Sequence, residues 1–329
     1  MRILITGGAG FIGHNVVRLL EEQGHECCIL DTCTDYGFVP KAELDYLMAE
    51  RRSQISTEIK LIDIRDQTLV DAAFRAFKPT VVIHMASLPR QKIVNENPII
   101  GSDVMVNGLL NLLEQSRKHQ IDKFVYISSS MVYGNYKNNV KELATCDPIG
   151  SYGIMKYMGE KLVADYARQQ YFNHVIIRPS AVYGERDIED RVVSKFITTA
   201  IRGGTLRVNG ADEVLDFTHV QDTAQGIVLA ATNDVSNNRI YNITCSSRRQ
   251  YTLKNAAELA IAIVGNGNLA LADRDINFPT RGRLSITHAY FDLGYRPQIN
   301  IEEGFRRYYK WYQDHPFLIA QNNQDKNAN

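Results

Sequence analysis

The chain has 329 residues, and its 37 lysines and arginines balance 37 aspartates and glutamates, so charge gives no case for nucleic acid or an anionic membrane as partner. A content of 44% hydrophobic and 22% charged residues excludes a disordered chain, and no apolar run approaches the roughly 18 residues that span a bilayer. MRILITGGAG lacks a secretory-signal pattern, and five cysteines without metal-ligand spacing (Cys27, Cys28, Cys33, Cys146, Cys245) read as reduced thiols of a cytoplasmic protein with no metal site.

Arg2–Thr6 predicts a first strand, and Thr6-Gly-Gly-Ala-Gly-Phe-Ile-Gly13 follows it directly, opening a helix over Phe11–Gln23. Glycines at 7, 10 and 13 allow a tight turn and bring backbone N–H groups to a pyrophosphate at the helix start. A second strand, Glu26–Asp31, ends in a carboxylate placed to accept hydrogen bonds from an adenosine ribose. No arginine adjoins Asp31 in sequence, so NAD is expected rather than NADP. Ile59–Ile64 predicts the third strand. There Asp63 could reach the adenine amino group, or Asp63 or Asp66 could cap the helix expected over Gln67–Phe77.

The fourth strand, Thr80–Ser87, ends in small residues that let a cofactor lie near the backbone, and its His84 reads as a core histidine without chemistry. A helix over Ile99–Lys118 follows, then a strand over Lys123–Ser129 that leads into Ser128-Ser-Ser-Met-Val-Tyr-Gly134. In the next helix, Tyr152–Gln170, Met155, Met158, Gly159, Leu162, Val163 and Tyr166 mark one face. Tyr152 and Lys156, four apart, also share a face, so the ammonium should favour tyrosinate and ready the phenol for proton exchange. His174–Ser180 predicts a sixth strand. Nearly continuous apolar strands alternating with helices imply an α/β fold with a Rossmann-type, doubly wound parallel sheet.

After Pro179 the rhythm changes. Arg191–Arg202 and Asn255–Val264 predict helices, while Thr205–Val208, Asp216–Val220 and Arg239–Thr244 predict short strands. The expected organisation is a dinucleotide-binding domain over 1–180, rejoined by about 215–244. A smaller α+β substrate domain would take 181–214 and 245–317, and a polar tail would run over 318–329.

TGGAGFIG, HMAS, SSSMVYG, YGIMK, RPSAVYGER, LDFTHVQD and GYRPQINIEEGFRRYYKWY, in this order, resemble the extended short-chain dehydrogenase/reductases, the NAD-dependent sugar-nucleotide epimerase/dehydratase family. The resemblance covers nearly the whole chain. It implies a catalytic triad of Ser129, Tyr152 and Lys156, with Lys156 also on the nicotinamide ribose and Pro179 near the nicotinamide. It implies cofactor contacts from Gly7, Gly10, Phe11, Ile12, Gly13, Asp31 and Thr34, and from Asp63, Ile64, Met85, Ala86 and Ser87. It also implies a nucleoside-diphosphate sugar as substrate, and a homodimer paired through the helices Ile99–Lys118 and Tyr152–Gln170 as a four-helix bundle, where Leu109, Leu112, Leu113, Met158 and Leu162 look apolar in excess.

Departures from the family pattern narrow the chemistry. Dehydratases carry a glutamate where this chain has Met131 and often an acid at Ser130, and neither side chain here moves a proton at C5 or C6. Many members have asparagine at Met105 and Ala181, and a phosphate-binding arginine at Leu215. Arg207, Arg281 or Arg186 is the expected replacement cation, with Asn209 beside them. The leading reading is a 4-epimerase of a UDP-hexose or UDP-uronate acting through a transient 4-keto sugar. A dehydrogenase or 4-keto reductase with exchangeable cofactor, and a non-catalytic dinucleotide-sensing module, are the alternatives.

Overall fold

The computed structural model describes residues 1–37, 39–88, 91–187, 191–276 and 278–314; the predicted tail over 318–329 lies outside them. The chain begins β1 (Arg2–Thr6), α1 (Gly13–Glu22), β2 (Glu26–Asp31), α2 (Lys41–Arg52), β3 (Ile59–Leu61), α3 (Gln67–Phe77) and β4 (Val81–His84). It continues through α4 (Gln91–Glu96), α5 (Pro98–Ser102), α6 (Gly108–Lys118), β5 (Lys123–Ile127), α7 (Gly150–Arg168) and β6 (Asn173–Pro179). Then come β7 (Val182–Tyr183), α8 (Val192–Ile201), β8 (Thr205–Asn209), β9 (Val214–Leu215), β10 (Thr218–His219), α9 (Val220–Thr232) and β11 (Arg239–Ile243). The last elements are β12 (Tyr251–Thr252), α10 (Leu253–Val264), β13 (Asn268–Ala272), α11 (Thr287–Leu293) and α12 (Ile301–Gln313).

Seven of the strands form one parallel sheet in the order β11-β6-β5-β4-β1-β2-β3. The chain runs outward from β1 to β3, then returns to β4 on the other side of β1. This reversal opens a crevice at the carboxyl ends of β1 and β4, where α/β proteins bind ligands. The sheet is covered on both faces, which is why its strands read as unbroken apolar runs. Val16, Val17 and Leu20 of α1 pack on one face with Ala224, Ile227 and Val228 of α9. Val70 and Phe74 of α3 pack on the other with Leu109, Leu112, Leu113 and Val163. Those three leucines are therefore core, and the apolar residues that α5 and α7 leave exposed are Ile99, Ile100, Ile154 and Met158.

A third core lies beyond the sheet, where Phe196, Leu206, Leu215, Ala257, Phe305 and Tyr308 pack together from α8, β8, β9, α10 and α12. Ala289, Leu293 and Tyr295 instead reach back to the sheet face that α1 and α9 cover.

Two expectations are corrected. The single helix over Ile99–Lys118 is broken by a π-helical turn at Asp103–Asn107, which turns Met105 inward against Leu88 and Val94. Of the strand expected over Asp216–Val220 only Thr218–His219 pairs, as β10 with β7; Val214–Leu215 before it pairs separately, as β9 with β12, and Val220 already begins α9. The break falls at Asp216, whose buried carboxylate accepts the N–H groups of Ser246 and Leu284 and pulls the backbone out of a straight strand.

Candidate active site

One cavity of about 1260 Å³ runs from the sheet crevice to the third core. Its floor at one end is the glycine turn between β1 and α1. A Cβ on Gly7 would sit 2.7 Å from the Ala86 backbone nitrogen, and one on Gly13 would overlap the Gly7 carbonyl, so the turn closes this tightly only with glycine. Gly7 also has φ +73°, a left-handed conformation that side chains disfavour. The open start of α1 carries no side-chain cap, which leaves its N–H groups for an anion.

Asp31, at the end of β2, accepts the Ala9 N–H of the turn at 3.0 Å and the Cys33 N–H at 2.9 Å. Burial raises its carboxyl above the usual range, while these two backbone donors oppose the rise. Although no arginine adjoins Asp31 in sequence, the fold brings Arg51 of α2 to the same cavity, near enough to act on that carboxylate. Asp63 lines the cavity as well. It does not cap α3, because Asp66 does, accepting the Leu69 N–H at 2.9 Å. Arg65 clamps Asp63 at 2.6 Å and holds its carboxyl below the usual carboxylate range. Phe11, Ile12, Thr34, Ile64, Met85, Ala86, Ser87 and Pro179 all line this end. His84 sits in the core, its Nδ1 2.7 Å from Thr6 Oγ1, and burial lowers its pKa to about 3, so it stays neutral.

Ser129, Tyr152 and Lys156 meet where the cavity passes the end of β5. The Ser129 hydroxyl lies close enough to the Tyr152 phenol to oppose the rise in its pKa, and it accepts the Met131 N–H at 3.2 Å. Tyr152 is set at the start of α7 by Asn95, whose Oδ1 accepts the Tyr152 N–H at 3.0 Å. Lys156 lies one turn further, 5.9 Å from the Tyr152 ring centre, and donates to the Ile127 carbonyl at 2.8 Å. The expected lowering of the phenol by this ammonium does not dominate. Burial pushes Tyr152 up from its ordinary value, and the opposing influences are Ser129 and the Arg191 guanidinium. Burial likewise lowers Lys156 to about 8.

The cavity wall is basic along its length. Arg51, Arg65, Lys92, Lys156, Arg191, Lys195, Arg207 and Arg281 line the cavity, against the carboxylates of Asp31 and Asp63 alone among the described residues. A chain of zero net charge thus concentrates positive charge on one cavity, which suits two ligands that each carry a diphosphate. Arg281 is half-buried, and its Nε is enclosed without a hydrogen-bond partner, so it can donate to an anion. Arg207 and Asn209 present from β8, and Leu215 lines the wall at the position where the family resemblance implied an arginine. Arg186 is not among the residues that line the cavity; its carbonyl accepts from Arg51 at 2.6 Å. Sequence reasoning missed Arg51 and Arg191, which no motif marks. Ala181, where the family resemblance implied asparagine, has φ +41°, a conformation asparagine tolerates better than alanine.

Comparison with known proteins agrees with this geometry. A Methanocaldococcus jannaschii chain assigned provisionally as a UDP-glucose 4-epimerase is 32% identical over 95% of this chain and 98% of its own. The Thermotoga maritima UDP-glucose 4-epimerase, solved with UDP-glucose, is 27% identical with a TM-score of 0.85, covering 95% of this chain and 99% of the other. The Thermus thermophilus UDP-glucose 4-epimerase, solved with NAD, is 27% identical with a TM-score of 0.83 over the same shares. The family model for NAD dependent epimerases/dehydratases matches residues 3–244, and with a sheet, glycine turn and Ser–Tyr–Lys cluster of this form the chain belongs to that family.

Proposed function

We propose that this protein is an NAD-dependent 4-epimerase of a nucleoside-diphosphate sugar, of the UDP-hexose or UDP-uronate type. The observation that carries this reading is the continuity of the cavity: the glycine turn, the Ser129–Tyr152–Lys156 cluster and the Arg207–Arg281 wall line one space. Gly7, Gly10, Gly13 and Asp31 would hold the pyrophosphate and ribose of the dinucleotide, Asp63 its adenine, and Lys156 its second ribose. Bound NAD supplies a hydride acceptor that takes hydride from the sugar C4 and gives it back.

Tyr152 removes the O4 proton and later returns it, while Ser129 orients the hydroxyl. Arg281 and Arg207 grip the diphosphate, so the 4-keto sugar can turn about that link without leaving. Dehydration needs a further acid or base beside C5 and C6. The cavity's two carboxylates stand instead after β2 and β3, and Ser130 Oγ is engaged with Ser180 Oγ at 3.2 Å. The test is incubation with UDP-glucose and UDP-glucuronate in D2O, read by NMR of the sugar. The expected product is the C4 epimer with protium at C4 and C5. Deuterium at C5 or a 6-deoxy-4-keto product would overturn the reading.

Asp31 sets the cofactor form. Acid release from the purified protein should yield NAD(H), because a 2′-phosphate would stand against this carboxylate. Recovery of mainly NADP(H) would show that Arg51 outweighs it. A net-neutral redox cycle keeps the cofactor bound, whereas exchange with free nicotinamide would favour the dehydrogenase or reductase.

For the domain division over 1–180 with 215–244, and 181–214 with 245–317, the third core supports the grouping of α8, β8, α10 and α12, whereas Leu215 and Phe217 join that core and Ala289, Leu293 and Tyr295 pack on the sheet. Homodimerisation through a four-helix bundle is supported by Ile154 and Met158, exposed on α7 at four-residue spacing, and by Ile99 and Ile100 nearby. Light scattering of the wild type should give twice the 37.2 kDa chain mass, and Ile154→Glu with Met158→Glu should give a monomer. A wild type that scatters as one chain would refute the dimer. The cytoplasmic reading rests on five free cysteines, and no helix among the described residues is long and apolar enough to cross a membrane.

A further inference from the structure

Beneath the triad lies a buried carboxylate that the reaction as described does not use. Glu160 follows Lys156 by one turn of α7 and is 3% exposed. Its Oε1 accepts from Ser128 Oγ at 2.5 Å and from Arg178 Nε at 2.8 Å, and its Oε2 accepts from Arg178 at 2.6 Å. Ser128 immediately precedes Ser129 at the end of β5, and Arg178 immediately precedes Pro179 at the end of β6. One carboxylate thus joins the three segments that deliver Ser129, Lys156 and Pro179 to the cavity.

We propose that Glu160 is a positioning residue of the epimerase reaction, which fixes the ends of β5 and β6 against α7 and sets a carboxylate one turn from the Lys156 ammonium. The proposal rests on the functional reading above only for its kinetic test. Four titratable groups surround Lys156. They are His84 from β4, held neutral by burial; Tyr126 from β5, whose ring centre is 5.4 Å away; and Tyr152 and Glu160 from its own helix. Of these, Glu160 alone is an anion that can stabilise the ammonium, and it opposes the burial that lowers Lys156 to about 8. Glu160 itself faces Arg178 and Ser128, and its charge also acts on Tyr126, Cys146 and His174. Arg178 is in turn fixed by donating to the Glu142 carbonyl at 3.0 Å, so Glu160 meets a rigid partner rather than a mobile one.

A purely architectural carboxylate and a positioning one differ in what their removal does to Lys156. Glu160→Gln keeps an oxygen for Ser128 and Arg178 but removes the charge. The ammonium then loses the carboxylate charge one turn away on α7, its pKa falls, and the alkaline limb of turnover moves toward lower pH. Two readouts test this on the purified full chain. The first is direct titration of the Lys156 side chain by NMR of ¹³Cε-labelled lysine, assigned by its absence in Lys156→Arg. It should fall by at least about one pH unit in Glu160→Gln.

The second readout is kcat on the UDP-sugar. It should drop by at least about tenfold near about pH 8.5 and by much less near about pH 6.5, with KM little changed. If Glu160→Gln does not fold, Glu160→Gln with Arg178→Gln replaces the ion pair by a neutral pair and is expected to lower the Lys156 titration in the same direction. A Lys156 titration equal to that of the wild type in whichever variant folds, or an equal loss of kcat at both pH values, would overturn the proposal. Wild-type inactivity on every UDP-sugar would instead count against the functional reading and leave the NMR test standing.

Discussion

Replacing Tyr152 with phenylalanine is expected to lower turnover by at least about 100-fold while the dinucleotide stays bound. The ring of Tyr152 packs against the cluster of Leu88, Val94 and Met105, and phenylalanine fills the same space. Only the hydroxyl is lost, and with it the contact with Ser129 and the group that takes the O4 proton. Because burial holds this phenol above its ordinary value before ligands bind, the protein does not store a tyrosinate. Its deprotonation must be favoured as the site fills by the positive charge gathered there, against the cost of excluding water. The check is kcat at saturating UDP-sugar, beside acid release of the cofactor from the same preparation. A variant within tenfold of the wild type would remove Tyr152 from the proton transfer. Loss of the cofactor would mean that the hydroxyl serves binding, and that the kinetic comparison must be made at equal occupancy.

Much of this architecture was legible in the residues, for a physical reason. Strands covered on both faces, such as those carrying Ile3–Ile5 and Val81–Ile83, have no polar alternation to blur them. The glycine turn and the Tyr152–Lys156 pair were equally legible, because both are local: their spacing alone fixes which groups come together. The basic wall was not local. Arg51 sits on a helix that is mostly polar, with nothing in its neighbours to mark an inward guanidinium, and Arg191 lies outside the motifs.

Arg186 is the opposite case: it stands inside a motif, yet it is not among the residues that line the cavity. The helix over Ile99–Lys118 failed through a π turn that costs no change in composition and so leaves no periodic trace. In the dimer argument, Leu109, Leu112 and Leu113 were counted by hydrophobicity alone, whereas the sheet already uses them. What remains for a partner is a face displaced around the helices, on Ile154 and Met158.

Replacing Arg178 with methionine is expected to destabilise the protein by roughly 3–5 kcal/mol, the cost of leaving one member of a buried ion pair alone. Arg178 and Glu160 side chains are each 3% exposed, so water cannot take over the missing partner. Burial by itself would lower the Arg178 pKa, but the Glu160 carboxylate more than reverses this and holds the guanidinium above its ordinary value. The pair is therefore strongly coupled. The same guanidinium lies 4.7 Å over the Tyr133 ring centre, a contact methionine replaces only in part.

Thermal unfolding followed by circular dichroism should show a Tm lower by about 10 °C, taking roughly 2–4 °C per kcal/mol for domains of this order of size. Adding Glu160→Leu should recover most of that loss, because an apolar pair carries no desolvation penalty. If the single variant melts with the wild type, the pair is neutral to folding. If the double variant melts no higher than the single one, the loss came from packing and the Glu142 contact rather than from the uncompensated charge. The double variant also separates stability from chemistry: it restores the frame at the ends of β5 and β6 but leaves Lys156 without an anion. A protein that melts normally and still turns over poorly at alkaline pH is the expected combination.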